Sequence, residues 1–131
     1  MSYHTNILSA ARDNENFRKV MFTGQKSQLV LMSLKPGEEI GKETHAHVEQ
    51  TLFFLNGTGT AYLGDKTYSV SAGDVYIVTP GTEHNFINTG NETIKIYTVY
   101  APPNHIDGTI HATKADADTD TGDEAFGEHV A

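Results

Sequence analysis

Residues 51–88 read TLFFLNGTGTAYLGDKTYSVSAGDVYIVTPGTEHNFIN. Short runs rich in Val, Ile, Phe, Tyr and Thr alternate here with turn residues, the pattern of closely connected β-strands. Residues 51–56 stop at Gly57-Thr58-Gly59, residues 60–63 at Gly64-Asp65, residues 66–70 at Ala72-Gly73-Asp74, and residues 75–79 at Pro80-Gly81. The same punctuation extends outward. Residues 17–23 end at Gly24-Gln25, residues 28–34 at Pro36-Gly37, residues 84–88 at Thr89-Gly90-Asn91, and residues 93–100 at Pro102-Pro103. Nothing between residues 17 and 101 shows the 3.6-residue apolar spacing of an amphipathic helix. The chain is therefore all-β, and so many short strands around a small core predict a sandwich, jelly roll or barrel.

Alternation within the strands assigns their faces. Lys95 marks the outer set of residues 93–100, so Ile94, Ile96, Thr98 and Tyr100 point inward. Asn85 similarly places His84, Phe86 and Asn88 on the inner face. Residues 29–34 are almost unbroken in apolar character, and Phe53 and Leu55 oppose Leu52 and Phe54. Leaving such side chains in water forfeits about 1.5–3 kcal/mol each, so the second face needs a cover. The N-terminal arm or another subunit supplies it, and a homodimer is the expected state.

The 131 residues suit one domain. Residues 1–16 read as an N-terminal arm, 17–101 as the β-barrel, and 102–131 as a C-terminal extension with an acidic tail. That tail has the Ala/Asp/Thr composition of a disordered segment from residue 115 onward. The net charge of −8 is concentrated there, because residues 105–131 set seven acids against Lys114 alone. The barrel is near neutral and lacks a basic patch, which argues against nucleic-acid binding. The absence of cysteine removes disulfides, thiolate metal sites and a cysteine nucleophile. Met1-Ser-Tyr-His-Thr-Asn6 has neither a basic nor an apolar region of the secretory kind, and no apolar run approaches the ~20 residues of a membrane helix. The expectation is a cytoplasmic protein without a membrane partner.

Seven histidines are present, and their placement is informative. His45 and His47 are two residues apart and share a face of an extended segment, with Glu43 at the same parity. His84 follows the turn Thr79-Pro80-Gly81-Thr82-Glu83 on a facing strand. Imidazole is the commonest protein ligand of transition metals, and two same-face histidines with a third opposite make a chelating trio. By spacing alone, a pair such as His45 and His47 is more often two solvated loop residues.

The stretch from Gly37 to Asn88 resembles the cupin superfamily. Its first motif, G-x5-H-x-H-x3,4-E-x6-G, is matched by Gly37, His45, His47, Gln50 and Gly57, and its second, G-x5-P-x-G-x2-H-x3-N, by Gly73, Thr79-Pro80-Gly81, His84 and Asn88. The residues from Tyr100 to Lys114 look like the end of small cupins labelled mannose-6-phosphate isomerase-like. The resemblance implies a double-stranded β-helix, or jelly-roll barrel, holding one divalent transition metal (Zn, Ni, Fe or Mn) on His45, His47, Gln50 and His84.

This chain departs from that pattern in four places. Gln50 stands where the usual ligand is glutamate, the gap from His47 to Gln50 is one residue short, Gly37 comes two residues early, and the proline has moved to Pro80. A neutral glutamine leaves more of the metal's charge uncompensated and favours an anionic exogenous ligand such as a carboxylate, enolate or phosphate. Glu43 is a rival fourth ligand or a proton-transfer group, and Tyr100 is the inner-face residue best suited to a polar task. These two are the catalytic candidates. Gly57-Thr58-Gly59 is a tight turn rather than a phosphate cradle, since no helix follows it. His105 and His111 flank Gly108 and lie either over the barrel mouth as a lid or on the surface.

Three functions compete. One is a metal-dependent isomerase, epimerase or dioxygenase acting on a small oxygen-rich molecule. Another is a non-catalytic module that binds a small anion or sugar, and the third is a structural dimer with an adventitious metal. The fold gives no vote among chemistries.

Overall fold

A computed structural model describes residues 1–129. Helix α1 (Ile7–Asp13) opens the chain, with the Asn6 side chain accepting from the Ser9 backbone N–H at 3.0 Å as its cap. Strands β1 (Arg18–Thr23), β2 (Gln28–Leu34), β3 (Glu49–Phe54), β4 (Gly59–Leu63), β5 (Lys66–Val70), β6 (Val75–Val78), β7 (His84–Asn88) and β8 (Ile94–Ala101) follow. A short β9 (Ile110–His111) then leads into α2 (Lys114–Thr119) and α3 (Thr121–Glu128).

All pairings among these strands are antiparallel. One sheet runs β6-β3-β8-β2-β1-β9 and the other β5-β4-β7. Two sheets enclosing a common core make a jelly roll of the double-stranded β-helix type. Bridges from Glu39 to Ile87 and from Glu43 to His84 extend the smaller sheet with the segment that precedes β3.

The alternation expected from Lys95 is realised, since Ile94, Ile96, Thr98 and Tyr100 are all buried. They meet Val30, Met32, Leu34, Leu52 and Phe54 from their own sheet and Ala61 and Phe86 from the other. The opposite face of β2 carries Leu31, also buried. Helix α1 lies against β2 and β8, with Ala11 fully inside, so the N-terminal arm supplies at least part of the second cover. Val75 and Ile77, on the edge strand β6, remain more than half exposed at 51% and 58%.

The C-terminal residues differ from the disordered tail expected of their composition. Thr113 caps α2 in a reciprocal box with Asp116, and Asp120 caps α3 by accepting from the Asp123 backbone N–H at 3.0 Å. Asp116, Asp120 and Asp123, which composition assigns to a disordered segment, here stand at helix starts, where the helix dipole favours them. Composition averaged over the tail conceals these positions.

The β3–β4 turn needs its glycines for two separate reasons. Gly57 sits at φ +88°, and a Cβ at Gly59 would lie 2.5 Å from the Ile87 carbonyl oxygen. Because that obstacle is backbone of the paired strand β7, only separation of the two strands relieves the clash. Gly59→Ala is accordingly expected to destabilise the fold by about 1–3 kcal/mol, read as a lower midpoint in urea unfolding. An unchanged midpoint would show that β4 and β7 part at no cost.

Candidate functional site

The site begins with backbone pairing. The Glu43 N–H donates to the His84 carbonyl at 3.0 Å, and the His84 N–H returns a bond to the Glu43 carbonyl at 2.9 Å. Two residues on, the His45 carbonyl accepts from the Gly81 N–H at 2.8 Å, which holds the turn before β7 against the same segment. Period-two geometry then directs the Glu43 and His45 side chains to one side. One metal-ligating atom each from Glu43, His45 and His84 falls within 4.8 Å of the others.

The donor set suits a cation. His84 Nδ1 lies 2.9 Å from the Thr82 carbonyl oxygen, which can only accept, so Nδ1 carries the proton. Nε2 is left as a bare lone pair, and it is buried without a partner. A second partner that fixes the tautomer in this way is the usual support of a metal-ligating histidine. His45 Nε2 lies 3.1 Å from Glu43 Oε2, yet the alignment is not that of a hydrogen bond, and this nitrogen too is unpartnered. Buried polar atoms without partners cost roughly 1–3 kcal/mol each, and a shared cation would relieve both.

Electrostatics agree with that arrangement. Burial pushes the His84 pKa down, overcoming the opposing hydrogen bond to Thr82, so the ring is neutral at pH 7. Burial pushes the Glu43 carboxyl up, but the close contact with His45 and the positive charge of Arg18 outweigh it and leave the net shift downward. A neutral imidazole beside an ionised carboxylate is a ligand pair ready for a divalent ion. Burial drives the Tyr100 phenol far above its ordinary range. Tyr100 is thus a neutral hydroxyl that can donate a hydrogen bond, not a base.

The residues proposed from sequence are distributed unevenly. The structure brings together Glu43, His45 and His84. Gln50 is buried at the start of β3, opposite Tyr100 in the β3–β8 register. Its Nε2 donates to Thr98 Oγ1 at 3.1 Å, leaving its carbonyl oxygen as the end able to ligate. His47 is exposed on the rim of the cavity and stands outside the group of three.

Above Glu43 and His45 lies a cavity of about 570 Å³. Sequence reading missed much of its wall: Arg18 from β1, Asn104 beyond the double proline, and Ala117, Asp123 and Gly127 from the C-terminal helices; His105, one of the two histidines offered as a lid, lines it too. The helices are held down through both late histidines. His105 Nδ1 lies 2.7 Å from Asp123 Oδ2, and His111 Nε2 lies 2.9 Å from Asp120 Oδ2. His105 and His111 are accordingly buried anchors of the cavity roof, nearer to the lid than to the surface position.

Burial lowers the His105 pKa more than Asp123 raises it, and His105 in turn helps hold the Asp123 carboxyl below its usual value. Both folded-state shifts are downward, so each group contributes stability at higher pH that is lost as pH falls. Thermal stability should be flat above about pH 6.5, fall as His105 is forced to protonate, and fall again below pH 3.8 as Asp123 does. Asp123→Asn should cost about 1–3 kcal/mol at pH 7, measured by urea unfolding. A melting temperature that rises from pH 7 to pH 5 would contradict this account.

Comparison with known proteins supplies relatives. The cupin domain family matches residues 30–100. YrkC of Bacillus subtilis, an uncharacterized protein, is 46% identical over 118 residues, covering 86% of this chain and 63% of YrkC. The chain thus spans less than two thirds of that relative's length. A crystal structure of the Bacillus halodurans protein BH2720 superposes with a TM-score of 0.87 at 37% identity, covering 89% of this chain and 93% of that one. A Thermotoga maritima protein described as a predicted oxalate decarboxylase matches with a TM-score of 0.56 at 27% identity, over 59% of this chain and 67% of its own.

Proposed function

The chain belongs to the cupin family, and from that premise we propose that it is a metal-binding cupin acting on a small oxygen-rich or anionic molecule. The observation that carries the reading is the convergence of two unpartnered imidazole nitrogens and a carboxylate, with Glu43 and His45 of that group lining an open cavity. Glu43, His45 and His84 would hold the ion, with the Gln50 carbonyl as a fourth donor. A divalent ion there supplies Lewis acidity toward a carbonyl, enediol or carboxylate oxygen. The rest is the work of the chain's own side chains. Tyr100 donates a hydrogen bond through its neutral phenol. Glu43, if not fully occupied as a ligand, accepts a proton. The C-terminal helices limit access of water from above.

The activity this supports is that of an isomerase or epimerase, or of a dioxygenase, and a non-catalytic binding module is the alternative. His47 lines the same cavity, which supports a second ligand set in which it replaces Glu43. The exposed Val75 and Ile77 of edge strand β6 support a homodimer, and the cysteine-free composition supports a cytoplasmic location.

Elemental analysis of untagged protein should find one divalent transition metal per chain. His84→Ala should lose it, and so should Glu43→Ala, whereas His47→Ala should retain it. Loss on His47→Ala with retention on Glu43→Ala would select the other ligand set. A wild type that neither carries metal nor gains melting temperature with added Mn, Fe, Ni or Zn would remove the metal reading altogether. At a hundredfold excess over Kd, binding should add about 2.7 kcal/mol of stability. Gln50→Glu should tighten metal binding and weaken small carboxylates, and no change in either would discount Gln50 as a ligand.

A further inference from the structure

Arg18 brings a buried positive charge to the cavity wall, outside the group of possible metal ligands. It is only 6% exposed, and it lines the cavity at the start of β1. A guanidinium cannot escape burial by losing its proton, so its charge persists and calls for an anion. Among the described residues no carboxylate comes within 4.0 Å of it. Its Nη1 donates at 3.3 Å to His111 Nδ1, a neutral acceptor whose opposite nitrogen is committed to Asp120. Among the described residues its Nε–H has no partner.

Charge balance sharpens the point. The carboxylates near Arg18 are spoken for: Asp123 accepts from His105 and from the Ile106 backbone N–H, and Glu43 belongs to the metal group. Asp118 is paired with Lys114, and Glu124 and Glu128 are exposed to solvent at the mouth, where water and salt screen them. With a divalent ion on Glu43, the buried floor would therefore be positive. Beside Arg18 stands His105, whose Nδ1–H donates to Asp123, so that its unpartnered Nε2 is an acceptor. The unpartnered groups that this wall adds to the floor are one cationic donor, on Arg18, and two neutral acceptors, His105 Nε2 and Asn104 Oδ1.

We propose that Arg18 is the carboxylate receptor of the cavity and that its ligand is a small hydroxycarboxylic acid. The carboxylate meets the guanidinium, and a neighbouring hydroxyl donates to His105 Nε2. The planar fork of arginine suits a carboxylate, and an anion there satisfies the buried Nε–H as well as the charge. This rests on the metal reading only for the ligand's second end, which would face the Glu43, His45 and His84 group.

The test is isothermal titration calorimetry of three probes against metal-stripped and Mn-loaded wild type. Tartronate carries carboxylates and a hydroxyl, malonate lacks the hydroxyl, and malonamide lacks the charge. Tartronate should bind most tightly, malonate more weakly, and malonamide at least about tenfold more weakly than malonate. Arg18→Gln should weaken tartronate by about tenfold or more in both protein forms while leaving bound metal per chain at the wild-type level, and Arg18→Lys should recover part of the loss. Malonamide binding as well as malonate to wild type overturns the proposal without recourse to any variant, as does the absence of tartronate binding from both forms. Undiminished tartronate binding by a folded Arg18→Gln protein overturns it too. Should the metal reading fail, Mn would leave every affinity unchanged, while the Arg18 effect would persist in the stripped protein.

Discussion

The pair of backbone hydrogen bonds between Glu43 and His84 is the constraint on which the site depends. It continues the pairing that the Glu39–Ile87 bridge begins between the segment before β3 and β7, and it joins a carboxylate and an imidazole that are far apart in the chain. The bridge sets them side by side at the edge of the smaller sheet, and the bond from Gly81 to the His45 carbonyl extends the same alignment by two residues. Because strand pairing has a period of two, one register delivers Glu43 and His45 together and turns Thr44 away. The Thr82 carbonyl then chooses the His84 tautomer, so the geometry of the three donor atoms follows from backbone positions as well as side chains.

The cavity follows from a second set of contacts, made by the C-terminal residues. His105 and His111 each bond an acid on or next to α3, and those acids also accept helix or loop backbone N–H groups. Each acid is thus both a local organiser and a tether, and the helices roof the barrel because their caps double as partners of buried histidines. The same construction leaves Arg18 enclosed and bonded to the His111 ring, with no carboxylate within 4.0 Å among the described residues. Enclosure makes its charge consequential, since the penalty for an unpaired ion grows as water is excluded.

The protein's chemistry is therefore divided between two sources. The jelly roll provides a rigid floor, where unpartnered imidazole nitrogens and a carboxylate converge. The terminal extension provides walls and a roof, with polar groups that a metal would not use. Family membership speaks to the floor, where the cupin match ends at residue 100, and is silent about Asn104, His105, Asp120 and Asp123 beyond it.

Much of the barrel was legible in the one-dimensional pattern. Turn residues at short intervals bounded the strands, and Lys95 alone assigned the inner set Ile94, Ile96, Thr98 and Tyr100, because alternation is a local property of extended chain. His45 and Glu43 could be paired by parity, and His84 placed opposite by the turn before it, for the same reason. What parity could not decide was which of Glu43 and His47 lies beside His84, since both share a face with His45. The register of the bridge to β7 settled the proximity, placing Glu43 in the group and His47 on the rim. Arg18 was invisible because its burial comes from β9 and the C-terminal helices, ninety and more residues away in the chain. The helices themselves had a signal, Thr113 to Asp116 and Asp120 to Asp123, that composition averaged away. Local periodicity determined the strands and their faces. Only the tertiary structure decided which polar groups lose their water, because burial is a property of the neighbours a residue finds and not of the residue itself.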